Sequence, residues 1–247
     1  MPPPYREDFL IAVRRTVTTE RLKRYLAATQ NDLSRAMELY ELNVQLCATL
    51  YGLIHGLEVA IRNAEHCALT ISYGSPYWYD EPPFPDFGKP VAGCEGPSWH
   101  EHAPLSTYWC DQVEKAQRKP GVGNRPGKVV AELTFGFWVD ILQSQNHMPL
   151  WVIRKLNRAF PNTKRTRGQI HGRLKEIQLL RNRISHHERI ITSSGVVYNG
   201  DGFLTLDEVV ECVEWVCPHT AEWLKTEFGF NDAADLLKRV ASKGIAL

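Results

Sequence analysis

Arg181-Asn182-Arg183-Ile184-Ser185-His186-His187 brings guanidinium, amide and imidazole groups together within seven residues. That combination suits cutting RNA without a metal. Such a reaction removes a proton from the 2′-hydroxyl and returns one to the leaving oxygen. An imidazole, titrating near neutral pH, can do either. Charge gathers on the phosphate oxygens in the transition state, and a planar guanidinium can hold two of them at once. The amide of Asn182 can orient the phosphate or the base. Taken bare, however, Arg-x4-His recurs on helices by chance, and a core arginine paired with a carboxylate fits the same spacing.

The motif must be positioned by a helix. At 100° per residue, Ile170, Leu174, Ile177, Leu180 and Ile184 fall within about 120° of one another, which predicts an amphipathic helix from about Thr166 to His187. Arg181 shares that arc, so its guanidinium is directed toward the packed side, where arginine is rare unless paired or bound to an anion. Asn182 and His186, four apart, share a neighbouring face. Arg181 and His186 stand about 140° apart on an ideal helix. They reach one phosphate only where the helix ends or distorts, or where a second chain supplies the other half.

The remaining pattern is helical. Two long helical stretches are expected between about Thr19 and Ile71, one of them carrying Leu50, Leu53, Ile54, Leu57, Ile61 and Ala64 as a stripe. Glu58 and Arg62 are four apart beside it and can pair; with Asn63 they form a candidate second polar layer, or simply a pair that holds helices together. Residues 73–127 are rich in proline and glycine and read as loops around a short helix near Ser106–Arg118. Further helices are expected over Lys128–Ser144, Leu150–Phe160 and Asn231–Ser242. Ile191–Phe203 is turn-rich and fits a small hairpin. Thr205 and Glu208 make a capping box for a helix that Pro218 interrupts.

The 247 residues carry a net charge of only +1. That balance hides an asymmetry. Leu150–Ile190 holds 11 Lys/Arg against Glu176 and Glu188, whereas Thr205–Asp235 holds 8 Asp/Glu against Lys225 alone. The basic segment is either a solvated face or a footprint for an anion such as nucleic acid. No apolar run approaches the ~20 residues that span a bilayer, and the first residues carry no signal-peptide pattern. The six cysteines form no CxxC pair, and buried reduced thiols in a cytoplasmic protein are expected. Cys94, His100, His102 and Cys110 do not have the separations of a zinc finger. Tyr77, Trp78 and Tyr79 fit a plug at the end of a helical bundle better than a stack for bases.

Several segments in order carry a resemblance: Leu57-Glu58-Val59-Ala60-Ile61-Arg62-Asn63-Ala64, Glu132-Leu133-Thr134-Phe135-Gly136-Phe137-Trp138, Leu150-Trp151, Phe160-Pro161, and Arg181-Asn182-Arg183-Ile184-Ser185-His186-His187-Glu188. Together, over about residues 21–190, they resemble the Abi-like (abortive infection) proteins of the HEPN superfamily. The resemblance implies an all-α helical bundle over 1–190 with a long loop insertion at 73–127, and a C-terminal helical extension over 191–247. It also implies a metal-independent ribonuclease without cofactor, acting in phage defence or as a toxin, commonly as a homodimer with a composite site, and restrained by a protein or small-RNA antidote. The implied catalytic residues are Arg181, His186 and Asn182. Arg183, His187, Glu58, Arg62 and Asn63 are substrate-side candidates. The family spacing also admits His187 as the catalytic histidine, and Arg189 stands where the family usually has proline. A non-catalytic HEPN module that binds RNA or protein is the other reading.

Overall fold

Apolar residues at three- and four-residue steps build one long helix, Leu33–Tyr73 (α3). The computed structural model describes residues 6–80 and 103–243, with backbone alone over 103–108. Among the described residues the regular structure is helical apart from one hairpin. Along α3, Leu39, Leu46, Leu50, Leu53, Ile54, Leu57 and Ile61 are all buried. By length and composition α3 could cross a membrane, which corrects the expectation that no apolar run is long enough.

The chain divides into two compact units, neither continuous in sequence. The first comprises Met1–Gly56, Leu179–Glu211 and Ala221–Leu247; the second comprises Leu57–Gln178 and Cys212–Thr220. The expected C-terminal extension is thus shared between them.

In the first unit, Glu7–Val17 (α1) and Thr19–Ala28 (α2) meet at Thr18, whose φ of +74° turns the chain. The Thr18 hydroxyl caps α2 by accepting from the Arg21 N–H at 3.4 Å. Toward the C-terminus come the hairpin Val197–Tyr198 (β1) and Phe203–Leu204 (β2). Its turn forms because Asn199 Oδ1 accepts from the N–H groups of Asp201 and Gly202, at 3.0 and 2.6 Å. Thr205 and Glu208 exchange the expected capping-box bonds, Thr205 N–H to Glu208 Oε2 at 2.8 Å and Glu208 N–H to Thr205 Oγ1 at 3.2 Å. Gly56 lets α3 lie close to Leu224: a Cβ there would stand 2.3 Å from the Leu224 side chain.

The second unit is centred on aromatic side chains. Trp78, Trp109, Phe137 and Trp138 are all but fully buried, with Trp78 and Trp138 edge to face at 6.0 Å. Trp78 Nε1 donates to His66 Nδ1 at 2.8 Å. Trp78 and Tyr79 therefore belong to the core, whereas Tyr77 is exposed. The short helix near Ser106–Arg118 appears as Ala103–Gln117 (α4).

Two expected helices are broken. Lys128–Ser144 splits into Pro126–Glu132 (α5) and Phe135–Asp140 (α6), because Thr134 leaves the helix and caps the next by accepting from Phe137 N–H at 3.3 Å. Leu150–Phe160 gives way to a wide turn at His147–Ile153 and a 3-10 turn at Leu156–Ala159, separated by Lys155 in the left-handed region at φ +53°. Cys94, His100 and His102 lie outside the described residues. The described cysteines form no disulfide with one another, and only Cys212 is buried. Among the described residues no cluster of three metal-binding side chains forms.

Glu65 is fully buried on α3, and neither carboxyl oxygen has a hydrogen-bond partner. Burial pushes its carboxyl well above the usual range. The folded protein then keeps a proton that the unfolded chain releases above pH ~4.3, so stability falls as pH rises from there. Replacing Glu65 with Met should remove that slope and raise stability near pH 7 by about 1–3 kcal/mol. Denaturant midpoints from pH 4 to 8 test this; an unchanged slope would refute it.

Candidate functional site at the end of the motif helix

The motif helix, Arg167–Ser185 (α7), opens on a capping box between Thr166 and Gln169. Thr166 N–H donates to Gln169 Oε1 at 2.8 Å, and Gln169 N–H to Thr166 Oγ1 at 3.3 Å. The stripe of Ile170, Leu174, Ile177, Leu180 and Ile184 is buried. Arg181, within the arc, is half-buried, while Asn182 and His186 are exposed.

The helix ends inside the motif. His187 N–H donates to the Ile184 carbonyl at 3.0 Å and Glu188 N–H to the Arg183 carbonyl at 2.9 Å. His187 itself takes φ +57°. These are the two bonds and the left-handed residue of a Schellman turn, at a position where glycine is usual.

Other parts of the first unit hold this turn in place. The guanidinium of Arg21 donates to the His187 carbonyl. Asn43 is buried on α3 and clamps the next residues: its Oδ1 accepts from Ile190 and Ile191 N–H at 2.8 and 3.3 Å, and its Nδ2 donates to the Glu188 carbonyl at 3.3 Å. Ile190 and Ile191 are themselves buried, so their backbone groups cannot turn to water. Arg183 pairs with Glu188 at 2.7 Å, donates to the Arg189 carbonyl, and lies over the Tyr198 ring at 4.8 Å. Tyr198 N–H in turn donates to the Ile190 carbonyl at 2.8 Å, which docks the hairpin.

Beside the turn lies a cleft of about 480 Å³, lined by Arg21, Arg24, Arg183, Arg189 and His187 among others, with Glu20 and Glu188 as its carboxylates. Burial, then the nearby Arg24 and Arg183 charges, lower the pKa of Arg189. Its Nε is buried without a hydrogen-bond partner. Clustered guanidinium groups of this kind are matched to a phosphate. The Cys47 thiol is pushed up to about 11 by burial, against the pull of Arg183, so it stays protonated and is no nucleophile near neutral pH.

The structure thus brings Arg183 and His187 into the cleft with three arginines that the sequence did not assign to a site: Arg21, Arg24 and Arg189. Arg181, Asn182 and His186 are not among its lining residues. Glu58 and Arg62, both half-buried, and exposed Asn63 stand on the part of α3 that belongs to the second unit. Arg62 Nε donates to Asn63 Oδ1 at 3.3 Å. Asn43 was missed, although a polar residue among Leu39, Leu42 and Leu46 was a visible signal.

Neither a family model, nor a curated protein, nor a solved structure matches the chain.

Two substitutions test the clamp and the turn. Asn43→Leu leaves buried N–H groups unpaired and should cost about 3 kcal/mol, with faster amide exchange at Ile190 and Ile191. His187→Gly relieves the left-handed strain and should leave stability unchanged or raise it by up to about 1 kcal/mol. A loss of more than that on denaturant unfolding would show that the His187 side chain, and not the turn geometry, holds this segment.

Proposed function

We propose that this protein is a metal-independent endoribonuclease of the type its motif resembles, acting in phage defence or as a toxin. The observation that carries the reading is the end of α7: the helix closes after Ser185, leaving His186 exposed and setting His187 into a cleft lined by four arginines. In the proposed reaction the imidazole of His186 takes the proton of the 2′-hydroxyl. The 2′-oxygen bonds to phosphorus, the bond to the 5′-oxygen breaks, and an imidazolium returns a proton to that oxygen. The products are a 2′,3′-cyclic phosphate and a 5′-hydroxyl. Arg181 holds the phosphate oxygens as charge builds on them, and Asn182 orients the substrate. Arg183 and His187 face the strand.

A homodimer belongs to the same proposal. On an ideal helix Arg181 and His186 would diverge by about 140°, and a two-fold pair of chains can offer the arginine of one to the histidine of the other. A second reading, a non-catalytic RNA-binding module, is favoured by the arginine cleft alone, since binding a phosphate needs no titrating histidine. An antidote, protein or small RNA, would restrain the enzyme in a resting cell.

Cleavage should persist in excess EDTA and leave cyclic phosphate ends; activity lost in chelator and restored by a divalent metal would refute the mechanism. His186→Ala should lower the rate by about 10²–10⁴-fold, and more than His187→Ala does. Arg181→Lys keeps the charge but loses the two-pronged grip and should also be severely impaired. Equal growth of cells expressing the wild type and His186→Ala would favour the binding module. Mixing Arg181→Ala with His186→Ala chains should recover activity if the site is shared across a dimer. Full activity in a monomer would end that part.

A further inference from the structure

The second unit carries a groove that the motif does not use. It measures about 490 Å³ and is lined by Trp151, Arg158, Phe160, Thr163, Lys164 and Arg165 among others. Trp151 is half-exposed, and its ring lies nearly parallel to that of buried Phe160, with centroids 6.2 Å apart and an interplanar angle of 28°. The indole thus packs beside a core side chain while part of it stays open to solvent. Arg158, Lys164 and Arg165 are exposed beside it.

Three facts make this more than a basic surface. From Ile141 to Lys175 the sequence contains eight Lys/Arg and no Asp or Glu, so no carboxylate from this stretch competes with an incoming anion. The wall is also held still. Asn162 donates its N–H to the Trp215 carbonyl at 3.0 Å and its Nδ2 to the Val216 carbonyl at 2.9 Å. Arg165 N–H donates to Thr163 Oγ1 at 3.1 Å, and its guanidinium lies over the Trp215 ring at 5.3 Å. Lastly, the irregular backbone around Lys155 presents Trp151 and Arg158 from separate turns rather than from one helix face.

An aromatic platform with cations at its rim is the combination that holds unpaired nucleotides, the base stacked and the phosphates neutralised. We infer that this groove binds single-stranded RNA, with a base stacked on Trp151 and backbone phosphates on Arg158 and Lys164. The choice of RNA rests on the nuclease reading; the stacking and charge argument does not. The groove selects unpaired RNA because a base in a duplex has no free face to offer Trp151.

The test uses the whole protein and a labelled 12-nucleotide oligouridylate carrying 2′-O-methyl groups, which cannot be cut by 2′-hydroxyl attack. Binding is followed by fluorescence anisotropy. Trp151→Ala should weaken binding about tenfold, and Trp151→Phe should keep most of it. Lys164→Glu and Arg158→Glu, both exposed and outside the core, should weaken binding and flatten its salt dependence. A duplex of the same length should bind more weakly than the single strand. Unchanged affinity in folded Trp151→Ala and in Lys164→Glu would overturn the inference. So would uridine monophosphate competing as well as the strand, since that would make the groove a small-nucleotide pocket. Trp151-dependent binding by a protein that cuts no RNA would refute the nuclease alone.

Discussion

The first unit depends on how the last turn of α7 is closed. A helix that ends on a left-handed histidine needs support from outside itself, because the backbone there is strained by roughly 1–2 kcal/mol relative to a right-handed residue. The support comes from Arg21 on the His187 carbonyl and from the three bonds of Asn43 to the segment 188–191. Buried Ile190 and Ile191 have no water to turn to, so Asn43 does for this loop what a neighbouring strand would do in a sheet. Tyr198 then bonds to Ile190, and the hairpin position follows from the same segment.

That arrangement fixes charge as well as chain. Arg183 is held by Glu188, the Arg189 carbonyl and the Tyr198 ring, and Arg189 donates to the Ile191 carbonyl at 2.9 Å. Their guanidinium groups line the cleft in positions set by the protein's own bonds, before any ligand arrives. A field organised in advance needs little rearrangement when a phosphate enters, which is the condition under which fixed charges act most strongly. Burial, and after it the repulsion of Arg24 and Arg183, lowers the pKa of Arg189, which is the cost of gathering these groups in one place.

What could be read in the sequence is what depends on near neighbours. The α7 stripe, the capping box at Thr205 and Glu208, and the turn around Asn199 all work over five residues or fewer at a time, and the structure contains each of them. The Schellman turn was hidden because histidine stands where glycine would have marked it. Thr134 and Lys155 break helices whose apolar pattern runs on through the break. Asn43 acts on residues 145 to 148 positions away. Its polarity among leucines was visible, but its partners were not. Arg24 and Arg189 likewise meet only in the fold.

Asn43 and Glu65 also separate two meanings of a polar residue in an apolar helix. Both stand on α3, whose composition would suit a membrane span, and both are buried. Asn43 has its amide oxygen and nitrogen engaged by backbone from a distant segment, so its polarity is repaid by order in the loop that follows the motif. Glu65 has no partner on either oxygen and is driven toward its neutral form. The first lowers the energy of one particular arrangement of chain, because only that arrangement supplies its donors and acceptor. The second raises the energy of every arrangement that buries it and favours none. An apolar residue could replace Glu65 and keep the packing of α3, whereas none could replace Asn43 and keep the segment 188–191 in place.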